Sequence, residues 1–175
     1  AGTWSRHVIA NDVGPARMLI LVDNLLGYGN LMAVGSNNVN DARLDDPDPW
    51  ESAVYSFTLP ADRTQPWPKT KISEGIVVTT TPTDRAPGMV GSGDIDGDGD
   101  MDVVVSCEHS KGKAGIFYYA HPEKSKTADP AAWAFRDIGG ITGTKFDRIE
   151  LIDLDHDGDL DVLTCDERAD LGVCW

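Results

Sequence analysis

Asp94-Ile-Asp96-Gly-Asp98-Gly-Asp100-Met-Asp102 recurs 59 residues later, nearly letter for letter, as Asp153-Leu-Asp155-His-Asp157-Gly-Asp159-Leu-Asp161. Each copy runs directly into an apolar stretch of β type, Val103-Val104-Val105 in the first and Val162-Leu163 in the second. Aspartates at the first, third and fifth places of a tight loop can turn their carboxylates inward. Gly97, Gly99 and Gly158 permit the sharp backbone turns that a Cβ resists. Two carboxylates about 4 Å apart repel by roughly 4 kcal/mol at an effective dielectric near 20. Several of them around one point therefore call for a divalent ion. A solvated acidic turn would account for one such loop, but not for the same alternation twice in the same context.

The alternation fits a hard cation, held by about six to eight oxygens at roughly 2.3–2.6 Å. Asp94, Asp96 and Asp98, and likewise Asp153, Asp155 and Asp157, offer side-chain oxygens. Asp100 and Asp159 offer their backbone carbonyls, and Asp102 and Asp161 close each cage from the first residue of the following strand. The expected cofactor is calcium at two sites, in preference to magnesium. The first half of each loop also looks like that of an EF-hand, which needs a bidentate Glu at its twelfth position and a helix on each side. That position holds Val105 in one copy and Thr164 in the other, and both loops lead into strands. The EF-hand reading fails.

Three landmarks recur in the same order along the chain. A Trp-led segment ending in Ile occurs as Trp4 to Ile9, Trp67 to Ile72 and Trp133 to Ile138. The acidic loop with its strand follows, and then an aromatic strand: Ala53 to Phe57, Gly115 to Tyr119, and Gly172 to Trp175. A first, decayed loop puts Asn24, Leu26, Tyr28 and Met32 at the ligand places, so no ion is expected there. Short strands bounded by Gly, Pro, Asn and Asp, with no sustained helical period, make the class all-β. Units of about four strands are expected over 18–80, 88–140 and 146–175, with 3–10 as a stray outer strand.

These motifs, Asp-x-Asp-Gly-Asp-Gly-x-x-Asp before a Val-rich strand, resemble FG-GAP/VCBS-type repeats. In that family the repeats are blades of β-propellers, such as those of integrin α-subunit heads and many secreted bacterial proteins. The resemblance implies calcium at Asp94, Asp96, Asp98, Asp102 and the Asp100 carbonyl, and likewise at Asp153, Asp155, Asp157, Asp161 and the Asp159 carbonyl. Propellers typically close with four to eight blades. About three are present, so the reading is part of a larger propeller or of one assembled from several chains.

The formal charge is −14, and two calcium ions would leave about −10. Such a balance argues against nucleic acid, which requires clustered Lys and Arg. The apolar run Met18 to Val22 is far short of the ~20 residues of a membrane helix. Calcium sites fill readily outside the cell, which favours an extracellular or periplasmic location. Cys165 and Cys174 fall on the two arms of a hairpin across 167–171, where they could face each other in a bridge; buried thiols are the plainer alternative, also for Cys107.

Arg17, Arg85 and Arg148 are expected just upstream of the innermost strands, where a propeller's channel opens. They could hold an anionic ligand such as an acidic sugar, or else pair with neighbouring aspartates (Asp84, Asp147). His7, His109, His121 and His156 share no ligand spacing, and Trp4, Trp67, Trp133 and Tyr118-Tyr119 recur as packing residues would. No nucleophile elbow, phosphate loop or dinucleotide fingerprint occurs. The leading expectation is a calcium-stabilised binding or scaffold module for a protein or carbohydrate. The alternative is part of a propeller enzyme, a carbohydrate lyase or dehydratase acting at the central channel.

Overall fold

A computed structural model describes residues 3–12, 16–23, 25, 31–37, 53–72, 86–108, 110, 114–139, 142–143, 145–168 and 170–175. They form three antiparallel sheets whose strands follow one another in chain order. The first sheet comprises β1 (Ala16–Asp23), β2 (Leu31–Asn37), β3 (Ala53–Thr58) and β4 (Lys69–Lys71). The second comprises β5 (Ala86–Gly93), β6 (Asp102–Glu108), β7 (Ile116–Ala120) and β8 (Ala134–Asp137). In the third are β9 (Phe146–Ile152), β10 (Asp161–Asp166) and β11 (Gly172–Cys174). Two single 3-10 turns, Lys124–Lys126 and Pro130–Ala132, punctuate the β7–β8 connection. The chain is all-β, built of propeller-type blades.

The blades stack face to face, and the burial pattern of β6 shows it. A strand covered on one side alternates buried and exposed; one covered on both sides is buried throughout. Val103, Val104 and Val105 are all fully buried. Val103 and Val105 join Val22, Leu25, Val54 and Ile72 of the first blade. Val104 turns the other way, onto Phe146, Ile149, Leu151 and Val162 of the third. In β9, by contrast, Ile149 and Leu151 are half-buried while Arg148, Glu150 and Ile152 are exposed. The inner strands β1, β5 and β9 stand side by side around a cavity of about 460 Å³ whose walls include Met18, Ile20, Val90 and Ile149.

The second and third Trp-led segments lead into or form the outer strands. Trp133 is buried, its indole N–H donating to the Thr127 carbonyl at 3.2 Å, and Trp67 and Tyr55 pack on Phe57. Trp4 departs from the packing role expected of it and is fully exposed. Residues 3–10 form no strand. They run beside the first blade's outer edge, where the Trp67 N–H donates to the Ile9 carbonyl at 2.9 Å and Lys69 pairs with Asp12.

The hairpin of β10 and β11 forms as expected, but one residue out of the register that a disulfide needs. Thr164 lies opposite Cys174, and Cys165 lies opposite Val173. Adjacent strand residues point to opposite faces. The two thiols are therefore on opposite sides of the sheet, and all three cysteines are free.

Candidate metal centre

Each acidic loop joins the first strand of a blade to the second. The loop closes where Gly93 pairs with Asp102 in the second blade, and where Ile152 pairs with Asp161 in the third. Between these ends the backbone enters the left-handed region at Gly97 (φ +75°), Gly99 (φ +93°) and Gly158 (φ +103°). His156, at the place of Gly97, adopts φ +64°. Both loops thus take the same turn, one with a residue that bears a Cβ.

The turn aims carboxylates inward and ties them with its own amides. Asp94 Oδ2 accepts the Gly99 N–H at 2.9 Å, and Asp153 Oδ2 accepts that of Gly158 at 3.2 Å. Asp102 Oδ2 accepts from Ile95 at 2.9 Å, and Asp161 Oδ2 from Leu154 at the same distance. In consequence Asp94, Asp96 and Asp102 each present an oxygen within 4.8 Å of the others, as do Asp153, Asp155 and Asp161. Two clusters with this oxygen chemistry can hold a metal ion. One oxygen in each, Asp94 Oδ1 and Asp153 Oδ1, is buried with no hydrogen-bond partner.

The remaining motif aspartates are arranged differently. Asp98 Oδ1 accepts the Asp100 N–H at 2.9 Å, and Asp157 Oδ1 accepts that of Asp159 at 3.0 Å. Those carboxylates brace the turn from outside the tight triad. Asp100 points its own side chain away, its Oδ2 standing 3.8 Å from His121 Nδ1.

Burial distinguishes the two sites. Asp102 is fully buried, and desolvation pushes its carboxyl above the usual carboxylate range against the pull of the His121 and Ile95 amides. Its second oxygen, Oδ1, accepts the His121 N–H at 2.8 Å. The His121 ring is shut in behind it, edge-on to Trp133 with 5.0 Å between centroids. The sequence gives His121 no ligand spacing. Its contribution is a backbone N–H, which no residue pattern announces. In the third blade Asp155 is the acid displaced upward, by desolvation and by the neighbouring Asp157 charge.

Of the three arginines, Arg17 lies within β1 and Arg148 within β9, not ahead of them, and Arg85 falls outside the described residues. Arg148 pairs with Glu150 at the mouth of the inner cavity, not with its neighbour Asp147. Asp147 instead takes Lys145 at 3.1 Å, and Lys145 also binds Glu167, which holds the Glu167 carboxyl below its usual range. The decayed loop of the first blade, with Asn24, Leu26 and Tyr28, lies outside the described residues, as does the Met32 side chain.

Fold and loops together define a class: an all-β repeat protein whose blades carry oxygen-rich turns between first and second strands. Residues 94–164 match the family model of the FG-GAP-like repeat. That span opens on the first ligand-type aspartate of one loop and closes in β10, past the last of the other, so both acidic turns lie within it. No curated protein and no solved structure matches the chain.

Proposed function

We propose that the chain is an extracellular β-propeller module, stabilised by two calcium ions, that serves as a binding or scaffold surface for a protein or carbohydrate. The observation that carries the calcium reading is the pair of buried, unpartnered oxygens, Asp94 Oδ1 and Asp153 Oδ1, at the same place in two loops. A buried acceptor left without a partner costs about 1–3 kcal/mol, more if charged. Water-exposed decoration would not bury the same oxygen twice; a cation shared by the triad supplies the missing partner. In this reading Asp94, Asp96, Asp98 and Asp102 with the Asp100 carbonyl hold one ion, and Asp153, Asp155, Asp157 and Asp161 with the Asp159 carbonyl hold the other. Magnesium, which demands near-ideal octahedral geometry, suits so adaptable a loop less well.

The ions act on folding. They tie the first two strands of a blade together at the loop, and their binding energy is folding energy. With free calcium a hundredfold above the dissociation constant, each site adds about 2.7 kcal/mol. Thermal melts with calcium and with a chelator test this, alongside a titration expected to reach two ions per chain. An identical melting temperature in both conditions refutes a structural role. The extracellular or periplasmic assignment follows from the calcium available there, and further blades, from this chain or another, complete the ring.

A catalytic reading draws on the cavity between the inner strands. Arg148 stands at its mouth, where it would meet an acidic carbohydrate. Release of unsaturated products from acidic polysaccharides would favour a lyase; binding without turnover favours the scaffold.

A further inference from the structure

The two acidic loops touch each other. Leu160 stands between Asp159 and Asp161 in the third blade's loop. Its side chain reaches Gly93, the residue before Asp94 in the second blade's loop: a Cβ on Gly93 would lie 2.6 Å from Leu160 Cδ1 and 3.2 Å from Leu151 Cδ1. The leucine thus sits directly against the backbone of the other loop. Gly93 is buried, and it pairs with Asp102 where that loop closes. The neighbouring Ser92 hydroxyl donates to the Asp102 carbonyl at 2.7 Å, tying the same edge to the same aspartate again. Leu160 therefore bears on the closure of a cage that is not its own.

A second contact runs the other way. Ile95, between Asp94 and Asp96, packs on the buried cluster of Val104, Ile116 and Phe146, on which Leu151 and Val162 of the third blade also pack. Leu151 lies two residues before Asp153, and Val162 directly follows Asp161. Ile95 also donates its N–H to Asp102 Oδ2 at 2.9 Å. One residue thus holds an aspartate of its own cage while its side chain joins the cluster that carries both ends of the other loop.

A gap of about 1 Å already forfeits up to half of a dispersion contact, so these contacts hold only while both loops keep their shape. Without an ion the crowded carboxylates repel and press each loop open. An ion in one loop fixes its turn, the turn fixes Leu160 or Ile95, and that side chain holds the other loop ready for its ion. Sites joined in this way share a coupling free energy, which is reciprocal. We infer that Leu160 and Ile95 couple the two sites, so that calcium in either loop raises the affinity of the other. Resting on the calcium reading above, this adds how the two ions depend on each other, through positioning residues outside the ligand set.

Calorimetric calcium titration of the unsubstituted chain yields two stepwise association constants. Asp96→Ala and Asp155→Ala each leave one site with one constant. For independent sites the product of the stepwise constants equals the product of the single-site constants. The expected product for the unsubstituted chain is at least about fivefold greater, the lower end of ordinary coupling between sites. In the backgrounds of Leu160→Ala and of Ile95→Ala the same comparison should bring the ratio down toward one. Leu160→Met, which keeps the apolar bulk, should preserve it. A merely structural role would lower the melting temperature of Leu160→Ala and leave the ratio where it was.

Hydrogen exchange supplies a readout with no substitution at the contact itself. At calcium that half-fills the remaining loop of Asp155→Ala, the Ile95 and Gly99 amides, bonded to Asp102 and Asp94, should exchange about threefold faster than in the unsubstituted chain. Two bound ions with a ratio of one, or equal exchange in the two proteins, overturns the coupling and leaves the calcium sites standing. A raised ratio that survives either alanine substitution overturns it as well. A chain that binds no calcium overturns the calcium reading itself, and this inference with it.

Discussion

Asp102 and Asp161 occupy the same place in two nearly identical loops, yet their surroundings differ. Asp102 is fully buried and accepts two backbone N–H groups, from Ile95 and His121; Asp161, half-buried, accepts that of Leu154. Removing an acceptor strands its donors, at about 1–3 kcal/mol for each buried one. Asp102→Ala should therefore destabilise the protein by about 2–5 kcal/mol even in chelator, and Asp161→Ala by distinctly less, as urea unfolding would register. Asp96→Ala is the control for this comparison. Its carboxylate is exposed, so the substitution should abolish the calcium response of its own loop with little effect on the calcium-free protein.

At the level of the element, the seams between blades are where shape decides. Gly115 leaves room for the Phe146 ring, and a Cβ there would stand 2.1 Å from Phe146 Cε2. That ring is buried and cannot yield cheaply, so Gly115→Ala should cost about 1–3 kcal/mol, visible as a lower urea midpoint with an unchanged slope. The β10–β11 hairpin yields a second expectation. Its register turns Cys165 and Cys174 to opposite faces, so thiol titration of the unreduced, denatured chain should count all three cysteines, and reductant should leave the melting temperature unaltered. A count of one would mean that the hairpin is shifted by a residue.

Over the whole molecule, coverage sets local stability. Amides exchange through openings whose free energy rises with the apolar surface packed around them. The middle blade has a neighbour on each face, and its strand β6 is buried from Asp102 to Cys107. The third blade has one covered face, and its last strand leaves Val173 largely exposed. Hydrogen exchange in calcium should accordingly be slowest in Val103 to Cys107 and fastest, among strands, in β11. Slower exchange in β11 than in β6 would contradict this stacking order.

Much of this was legible in the chain itself because it depends on local chemistry. The spacing of Asp and Gly in two copies defines the turns, the oxygens and the period of the repeat, and Val-rich and aromatic runs around them define strands. These are properties of a few consecutive residues, so the loops close where the letters say. What depends on which residue faces which across a seam was not legible. The Cys165–Cys174 register, the exposure of Trp4 and the His121 amide on Asp102 depend on how separate segments meet in space or fail to; the pairing of Arg148 with Glu150, two residues on in β9, depends on which side chains share one face of the strand. A strand pattern fixes alternation but not the partner's phase, and a backbone N–H is the same for every residue. The sequence alone determined a β repeat with two acidic cages; the tertiary structure decided which oxygens converge, which are buried without a partner, and which faces remain open.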